Sequence, residues 1–420
     1  MLSFMVEFIY THGIGEGNMA IRGNMLIAQS GGPTAAINAS LAGAVKYAME
    51  REEIGNIYGA KNGVEGILRE DFVDLRPLLR TPEDFARLTK TPAMVLGSCR
   101  KRLSEQPDKD YEKLLDIFHR REIRYFFYIG GNDSMDAVKK LSAYFSALGE
   151  DIRVVGIPKT IDNDIACTDH TPGFGSAARY IAATMAEIAC DSAIYTPASL
   201  TLVEIMGRNA GWLTAAAALA RRPGCDAPHI ICMPEVPFEE GKFLRRVREL
   251  QAEKKHLILA VSEGIRYENG TYVAAQSKLD AFGHRQLSGA AHTLGTLLLE
   301  EIGCKVRPIE LNVLQRCAAH LSSETDLQEA ARIGKEAVSL ALAGKTGVMA
   351  AFIRESNDPY TIRYGHAEVE KVANVERTVP VEWIDSDNMD IRQELLDYLT
   401  PLIQNPSQAE PGLPTYFQIP

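Results

Sequence analysis

MLIAQSGGPTAAINAS, residues 25–40, decides how the rest of the chain is read. A five-residue apolar run ends at Ser30, two glycines turn the chain, and an Ala-rich helical pattern starts near Thr34. The same order of apolar run, turn and helical stretch recurs. Strand-like runs fall at 125–129 (YFFYI), 153–157 (RVVGI), 200–205 (LTLVEI), 229–233 (HIICM), 256–261 (HLILAV) and 347–353 (GVMAAFI). Helical patterns fall at Met135 to Leu148, Ser176 to Ala189, Glu239 to Lys254, Ser288 to Glu301 and Asp326 to Ala343. Short continuous apolar runs suit strands buried on both faces of a parallel sheet. Their alternation with helices predicts an α/β, doubly wound architecture, in which ligands sit at the carboxyl ends of the strands.

Composition narrows the function classes. The chain has 420 residues, 46% hydrophobic and 24% charged, which is ample for two lobes with substantial cores and too apolar for disorder. A formal charge of −10 argues against nucleic acid or an anionic membrane as a partner. Ten acidic against three basic residues lie from His366 to Pro420, so most of that excess sits in the C-terminal segment and the body is nearly neutral. Arg100, Lys101 and Arg102, with other basic residues, can therefore make a cleft locally positive. Seven scattered cysteines without a Cys-x-x-Cys pair suit free thiols in a reducing cytoplasm. The longest uncharged apolar stretch, Ala210 to Ala220, has 11 residues and is too short to span a membrane. Residues 1–23 read as a disordered leader, with Met19 or Met25 as alternative starts.

The polar groups collect at the strand ends. Gly31 and Gly32 let backbone N–H groups approach an anion, although a tight turn alone would also use them. GGNDS (130–134) repeats the arrangement; Asn132 and Asp133 either cap the following helix or offer oxygens to a magnesium ion. In GIPKTIDNDI (156–165), an extended chain would place Thr160, Asp162 and Asp164 on one face, with Ile161 and Ile165 turned away. Two carboxylates so close require a cation, a donor or a shared proton, and Lys159 is adjacent. That set suits a carboxylate base accepting a hydroxyl proton in phosphoryl transfer; an Asp-rich surface turn is the plainer alternative. MGRNAGW (206–212) brings Arg208 to the end of one strand and SEGIR (262–266) brings Glu263 to another, each otherwise an ordinary surface charge. RPIELNVLQR (307–316) adds two arginines nine apart, able to fork onto a phosphate or simply to face solvent.

Taken together, PKTIDND, MGRNAGW, SEG and the closing Gln315-Arg316 pair resemble the phosphofructokinase family, which phosphorylates fructose 6-phosphate on its 1-hydroxyl. The likeness runs in order from about Met25 to Arg354. It implies two Rossmann-like three-layer α/β lobes with the active site in the cleft between them. On this basis residues 24–175 plus about 317–365 form a donor-phosphate lobe, 176–316 a sugar-phosphate lobe and 366–420 an acidic tail. The resemblance places donor binding on Gly31, Arg100, Gly130, Gly131 and Lys159. Sugar-phosphate binding falls on Thr160, Ile161, Asp162, Met206, Gly207, Arg208, Glu263, Arg307 and Arg316. Asp162 takes the place of the proton acceptor, Asp164 supports it, and Asn132 and Asp133 take the place of the Mg2+ ligands. Likeness to the family further implies a homodimer or homotetramer, with Arg307 acting across a subunit interface.

Two positions discriminate the phosphoryl donor. The ATP-using branch reads Gly-Gly-Asp-Gly at the second turn and has Gly where this chain has Lys159; Asp133 and Lys159 are the pair typical of the pyrophosphate-dependent branch. A carboxylate at Asp133 adds bulk and negative charge where a nucleotide's α-phosphate would approach, and Lys159 offers compact positive charge to pyrophosphate. The expected reaction is therefore reversible phosphoryl transfer from pyrophosphate to fructose 6-phosphate. An ATP-dependent phosphofructokinase is the alternative, and a non-catalytic sugar-phosphate-binding module is the alternative of another class. The chain departs from the family at Asn132, where an Asp is usual, at Val313, commonly His or Tyr, and at Ser199, an arginine in bacterial ATP enzymes.

Overall fold

The computed structural model describes residues 21–274, 289–409, 412–414 and 416. The expected leader lies outside the described residues up to position 20, and Gly23 already belongs to the first strand.

Eleven strands form two large sheets. They are β1 (Gly23–Gln29), β2 (Ile54–Ala60), β3 (Phe72–Asp74), β4 (Ile123–Gly130), β5 (Arg153–Pro158), β6 (Ser199–Ile205), β7 (Ile230–Cys232), β8 (His256–Ser262), β9 (Lys305–Glu310), β10 (Val348–Asn357) and β11 (Tyr360–Glu368). The first sheet has the order β11-β10-β5-β4-β1-β2-β3, parallel except for β3 and β11 at its edges. The second is the parallel four-stranded sheet β7-β8-β6-β9.

Alternation along the central strands explains why both faces are covered. Met25 and Ile27 enter one core while Leu26 and Ala28 enter another on the opposite face. In the second sheet Val203 and Ile205 point one way, and Leu200 and Leu202 the other. All eight side chains are buried, so each sheet needs helices on both sides, the three-layer arrangement expected of parallel sheets. Helices Ile37–Met49 and Glu324–Leu342 pack so tightly against each other that a methyl on Gly43 would lie 1.8 Å from the Ala331 carbonyl oxygen.

The structure departs from the sequence-based expectations in four places. The first helix starts at Ile37, because Thr34 accepts from the Ala36 N–H at 3.2 Å and holds the chain in a turn until then. β2, β9 and β11 are strands that hydrophobic runs do not reveal, since β9 and β11 are edge strands with half-exposed faces and β2 carries exposed Gly55 and Asn56. Residues 160–164 bend instead of running extended, with Asn163 at φ +56°. Lastly, the segment from His366 is no free tail: Ile384, Leu395, Tyr398, Leu399, Leu402 and Ile403 join the core of the second lobe. Most of its described acidic residues, among them Glu370, Glu382, Asp387, Glu394 and Asp397, face solvent around that apolar stripe, which is why charge alone suggests a tail.

Candidate active site

The carboxyl ends of β1, β4 and β5 open onto a cleft of about 630 Å³ lined by Gly31 and Gly32 of the first turn, Gly131 of the second, Lys159, Thr160, Asp162 and Asp164. Each turn has a local cause. Gly31 adopts φ +82°, a conformation that side chains resist, and its turn is tied down by Ser98 Oγ donating to the Gly31 carbonyl at 2.7 Å. Gly131 caps the helix Asn132–Ala147, leaving the helix N-terminus aimed at the cleft. A Cβ at Gly130 would lie 1.9 Å from Ser134 Oγ, so the second turn closes only around a glycine.

Lys159 lies beneath both turns. It follows β5, its N–H donates to the Gly130 carbonyl at 2.9 Å, and its ammonium donates to the Gly32 carbonyl at 2.5 Å. The side chain is 2% exposed. Burial pulls its pKa down to about 8, against the opposing pull of Asp162 and Asp164. A buried ammonium held against a phosphate-type turn is a positive charge that water hardly screens.

The polar groups of the 160–164 loop converge because the chain turns, not because a strand alternates. Thr160 Oγ1 accepts from the Asp162 N–H at 3.1 Å, and the left-handed Asn163 reaches Tyr398 Oη at 3.0 Å. Burial raises the Asp162 pKa, while Lys159, the Thr160 hydroxyl, Arg208 and Arg316 oppose the rise. Asp164 is pushed up to about 7 by burial and by the charge of Asp162. Glu263 rises to about 7 for the same two reasons. Three acids with raised pKa values around one cleft match the pattern of a catalytic site.

The second lobe brings Arg208 and Glu263 close enough to Asp162 for their charges to act on it. Gly207, at φ +128°, brings the Met206–Arg208 loop over the end of β6, and its N–H donates to Glu263 Oε1 at 3.3 Å. Gly264 packs so closely on Arg208 that a Cβ there would lie 1.9 Å from the Arg208 carbonyl oxygen. Arg208 Nε is buried without a hydrogen-bond partner among the described residues. Gln315 accepts from the Met206 N–H at 3.2 Å, which carries the neighbouring Arg316 to within reach of Gly32.

Three expected site residues sit differently. Ile161 is 5% exposed and fills the second-lobe core, so its side chain does not face the cleft. Arg307 pairs with Asp191 at 2.9 Å near the start of β9, apart from Arg316, so the two arginines do not form one phosphate fork within this chain. Arg100 is exposed, and it is Arg102 from the same loop that lines the cleft. Arg102 pairs with Asp133 at 2.9 Å. Asn132 and Asp133 stand next to each other at the helix start, and Asn132 Oδ1 is buried without a partner among the described residues.

A sequence model of the phosphofructokinase family matches residues 24–341. The chain belongs to the phosphofructokinase family. It is 40% identical over 398 residues to a pyrophosphate–fructose 6-phosphate 1-phosphotransferase of Halomonas elongata, covering 93% of this chain and 94% of that one. A relative of the same name from Methylococcus capsulatus is 40% identical over 406 residues, covering 95% of this chain and 96% of its own. The crystal structure of a pyrophosphate-dependent phosphofructokinase from Nitrosospira multiformis superposes with a TM-score of 0.83 at 36% identity and 95% coverage of both chains.

Two cleft residues of this phosphofructokinase, Asn374 and Glu376, escape the sequence motifs, because they come from the supposed tail. Neither lies in a glycine-rich turn or a carboxylate-bearing loop directly after an apolar run, the signals that find most of the others.

Proposed function

We propose that this phosphofructokinase transfers a phosphoryl group reversibly from pyrophosphate to the 1-hydroxyl of fructose 6-phosphate, giving fructose 1,6-bisphosphate and phosphate. The observation that carries the donor choice is the buried ammonium of Lys159 under the Gly31–Gly32 turn, beside a second turn whose Asp133 side chain is held by Arg102. Positive charge at that depth suits a compact polyanion. The Asp133 carboxylate places bulk and negative charge where a nucleotide chain would continue.

Asp162 accepts the proton of the sugar hydroxyl as its oxygen bonds to phosphorus and the bridging P–O bond of pyrophosphate breaks. In the reverse direction it returns that proton to the sugar oxygen. Lys159, Arg208 and Arg316 keep Asp162 available as a carboxylate against its burial. Lys159 also neutralises charge growing on the leaving phosphate. Arg208, Glu263 and Arg316 orient the sugar phosphate, while Gly31, Gly131 and the helix at Asn132 receive the donor. The first sheet is the donor lobe and the second the sugar lobe.

A magnesium ion fits beside Asn132 and Asp133. The orphaned Asn132 Oδ1 is a hard oxygen donor, and no cluster of three His, Cys, Asp or Glu side chains among the described residues could hold a metal alone. Magnesium commonly keeps few protein ligands and shares phosphate oxygens; when bound, it supplies positive charge to the donor. The reading includes a homodimer or homotetramer in the cytoplasm. Seven free thiols and the absence, among the described residues, of a helix long and apolar enough to cross a membrane support that location.

The deciding assay compares pyrophosphate with ATP on fructose 6-phosphate. Turnover with ATP and none with pyrophosphate would overturn the donor choice.

A pH prediction follows from the same groups. The coupled Asp162–Asp164 pair must be ionised, and Asp164 titrates at about 7, so kcat/KM rises as pH increases through that value. Lys159 must stay protonated, and with a pKa of about 8 its loss of charge lowers kcat/KM at higher pH. The expected profile is a narrow bell between those limbs, and Lys159→Arg should remove the alkaline one. A flat profile from pH 6 to 9 would contradict these assignments.

A further inference from the structure

Residues 374–379 cross from one lobe to the other at the mouth of the cleft. On the donor side, Asn374 Nδ2 donates to Asp136 Oδ1 at 3.1 Å, Glu376 forms a backbone bridge with Ile165, and the Arg377 N–H donates to the Asp164 carbonyl at 2.7 Å. On the sugar side, Asn209 Nδ2 donates to both carboxylate oxygens of Glu376, at 3.1 and 2.9 Å. Trp212 Nε1 donates to the Arg377 carbonyl at 3.2 Å. One oxygen of Glu235 accepts from the Val379 N–H at 3.0 Å and from the Gly211 N–H at 2.8 Å.

The strap therefore grips the two loops that must be held at a fixed separation. The backbone of Arg377 holds Asp164, two residues from Asp162, and the side chain of Glu376 holds Asn209, next to Arg208. Arg266 completes the chain by donating to Asn209 Oδ1. Since the Asn209 amide is clamped from both ends, the Met206–Asn209 loop has one preferred orientation. Arg208, whose Nε has no partner among the described residues, is thereby presented to the cleft ready for an anionic ligand.

We propose that Glu376 is a positioning residue for the sugar phosphate, acting through Asn209 to set Arg208 against Asp162. The proposal rests on the assignment of fructose 6-phosphate to this cleft. Glu376 is exposed at the cleft mouth, so truncating it leaves the cores untouched.

The test measures KM for each substrate and fructose 6-phosphate affinity by calorimetry without a donor. Glu376→Ala should raise KM and Kd for fructose 6-phosphate about tenfold, the scale of one lost charge-assisted hydrogen bond, while KM for pyrophosphate moves less than about twofold. Glu376→Gln keeps an acceptor for Asn209 and should recover most of the affinity. Asn209→Ala should match Glu376→Ala, and the double variant should be no worse than either single one. Unchanged sugar-phosphate affinity in Glu376→Ala, or additive losses in the double variant, would overturn the strap's role. Wild-type protein that binds fructose 6-phosphate but ignores pyrophosphate would refute the donor reading and leave the strap's role supported wherever the affinities follow this pattern.

Discussion

Asp162→Asn is expected to lower kcat by about 10²- to 10⁴-fold in both directions, the range for removing a positioned general base, with fructose 6-phosphate binding retained. The amide keeps the shape of the carboxylate and can still sit against Thr160, whose hydroxyl is 3.4 Å from Asp162 Oδ2 in the native loop. What it loses is a site for the proton of the attacking hydroxyl. Asp164 owes part of its raised pKa to the neighbouring charge. Asp162→Asn removes that charge, so Asp164 should ionise at lower pH, and residual activity should show an acid limb moved downward. A loss of less than about tenfold, with the acid limb unmoved, would exclude Asp162 as the base.

Lys159 should carry the second largest effect, and it falls on the donor. Lys159→Met is expected to lower kcat/KM for pyrophosphate by about 10²- to 10³-fold, comparable with removing one preorganised electrostatic group from a water-poor site. Two losses combine here. The leaving phosphate no longer meets a buried positive charge, and the Gly32 carbonyl loses the donor that holds the first turn. KM for fructose 6-phosphate should change far less, since Arg208 and Arg316 remain. Pairing Lys159→Gly with Asp133→Gly goes further. It removes the compact cation and the Arg102-held carboxylate together, and the ratio of ATP to pyrophosphate turnover should rise. An unchanged ratio in that double variant would mean that donor choice lies elsewhere in the cleft.

Both residues can be picked out from the amino-acid sequence, although their surroundings cannot. Glycine turns after apolar strands identify themselves, because only a few residue types permit the backbone geometry and the strands are buried on both faces. The Lys159–Asp164 stretch is legible for its chemistry but not for its shape. Period-two alternation puts Thr160, Asp162 and Asp164 on one face of an extended chain, whereas a threonine-to-backbone bond and a left-handed Asn163 bring them together through a bend. Arg307 and Arg316 show the opposite failure. They look alike in sequence, and Asp191, 116 residues away from Arg307, separates their roles within the chain.

By itself the sequence determined the α/β class, the two phosphate-type turns, the acid–lysine loop and membership of a family, because each depends on residues close together in the chain. Tertiary structure alone decided that the acidic C-terminal segment is part of the second core, that its Glu376 and Arg377 bind the two lobes' loops together, and that Arg102 is the partner of Asp133. Those contacts join residues far apart in sequence, and neither composition nor periodicity encodes which distant partner a side chain meets. Hydrophobic patterning determines what is buried, while long-range packing determines which charges end up facing one another.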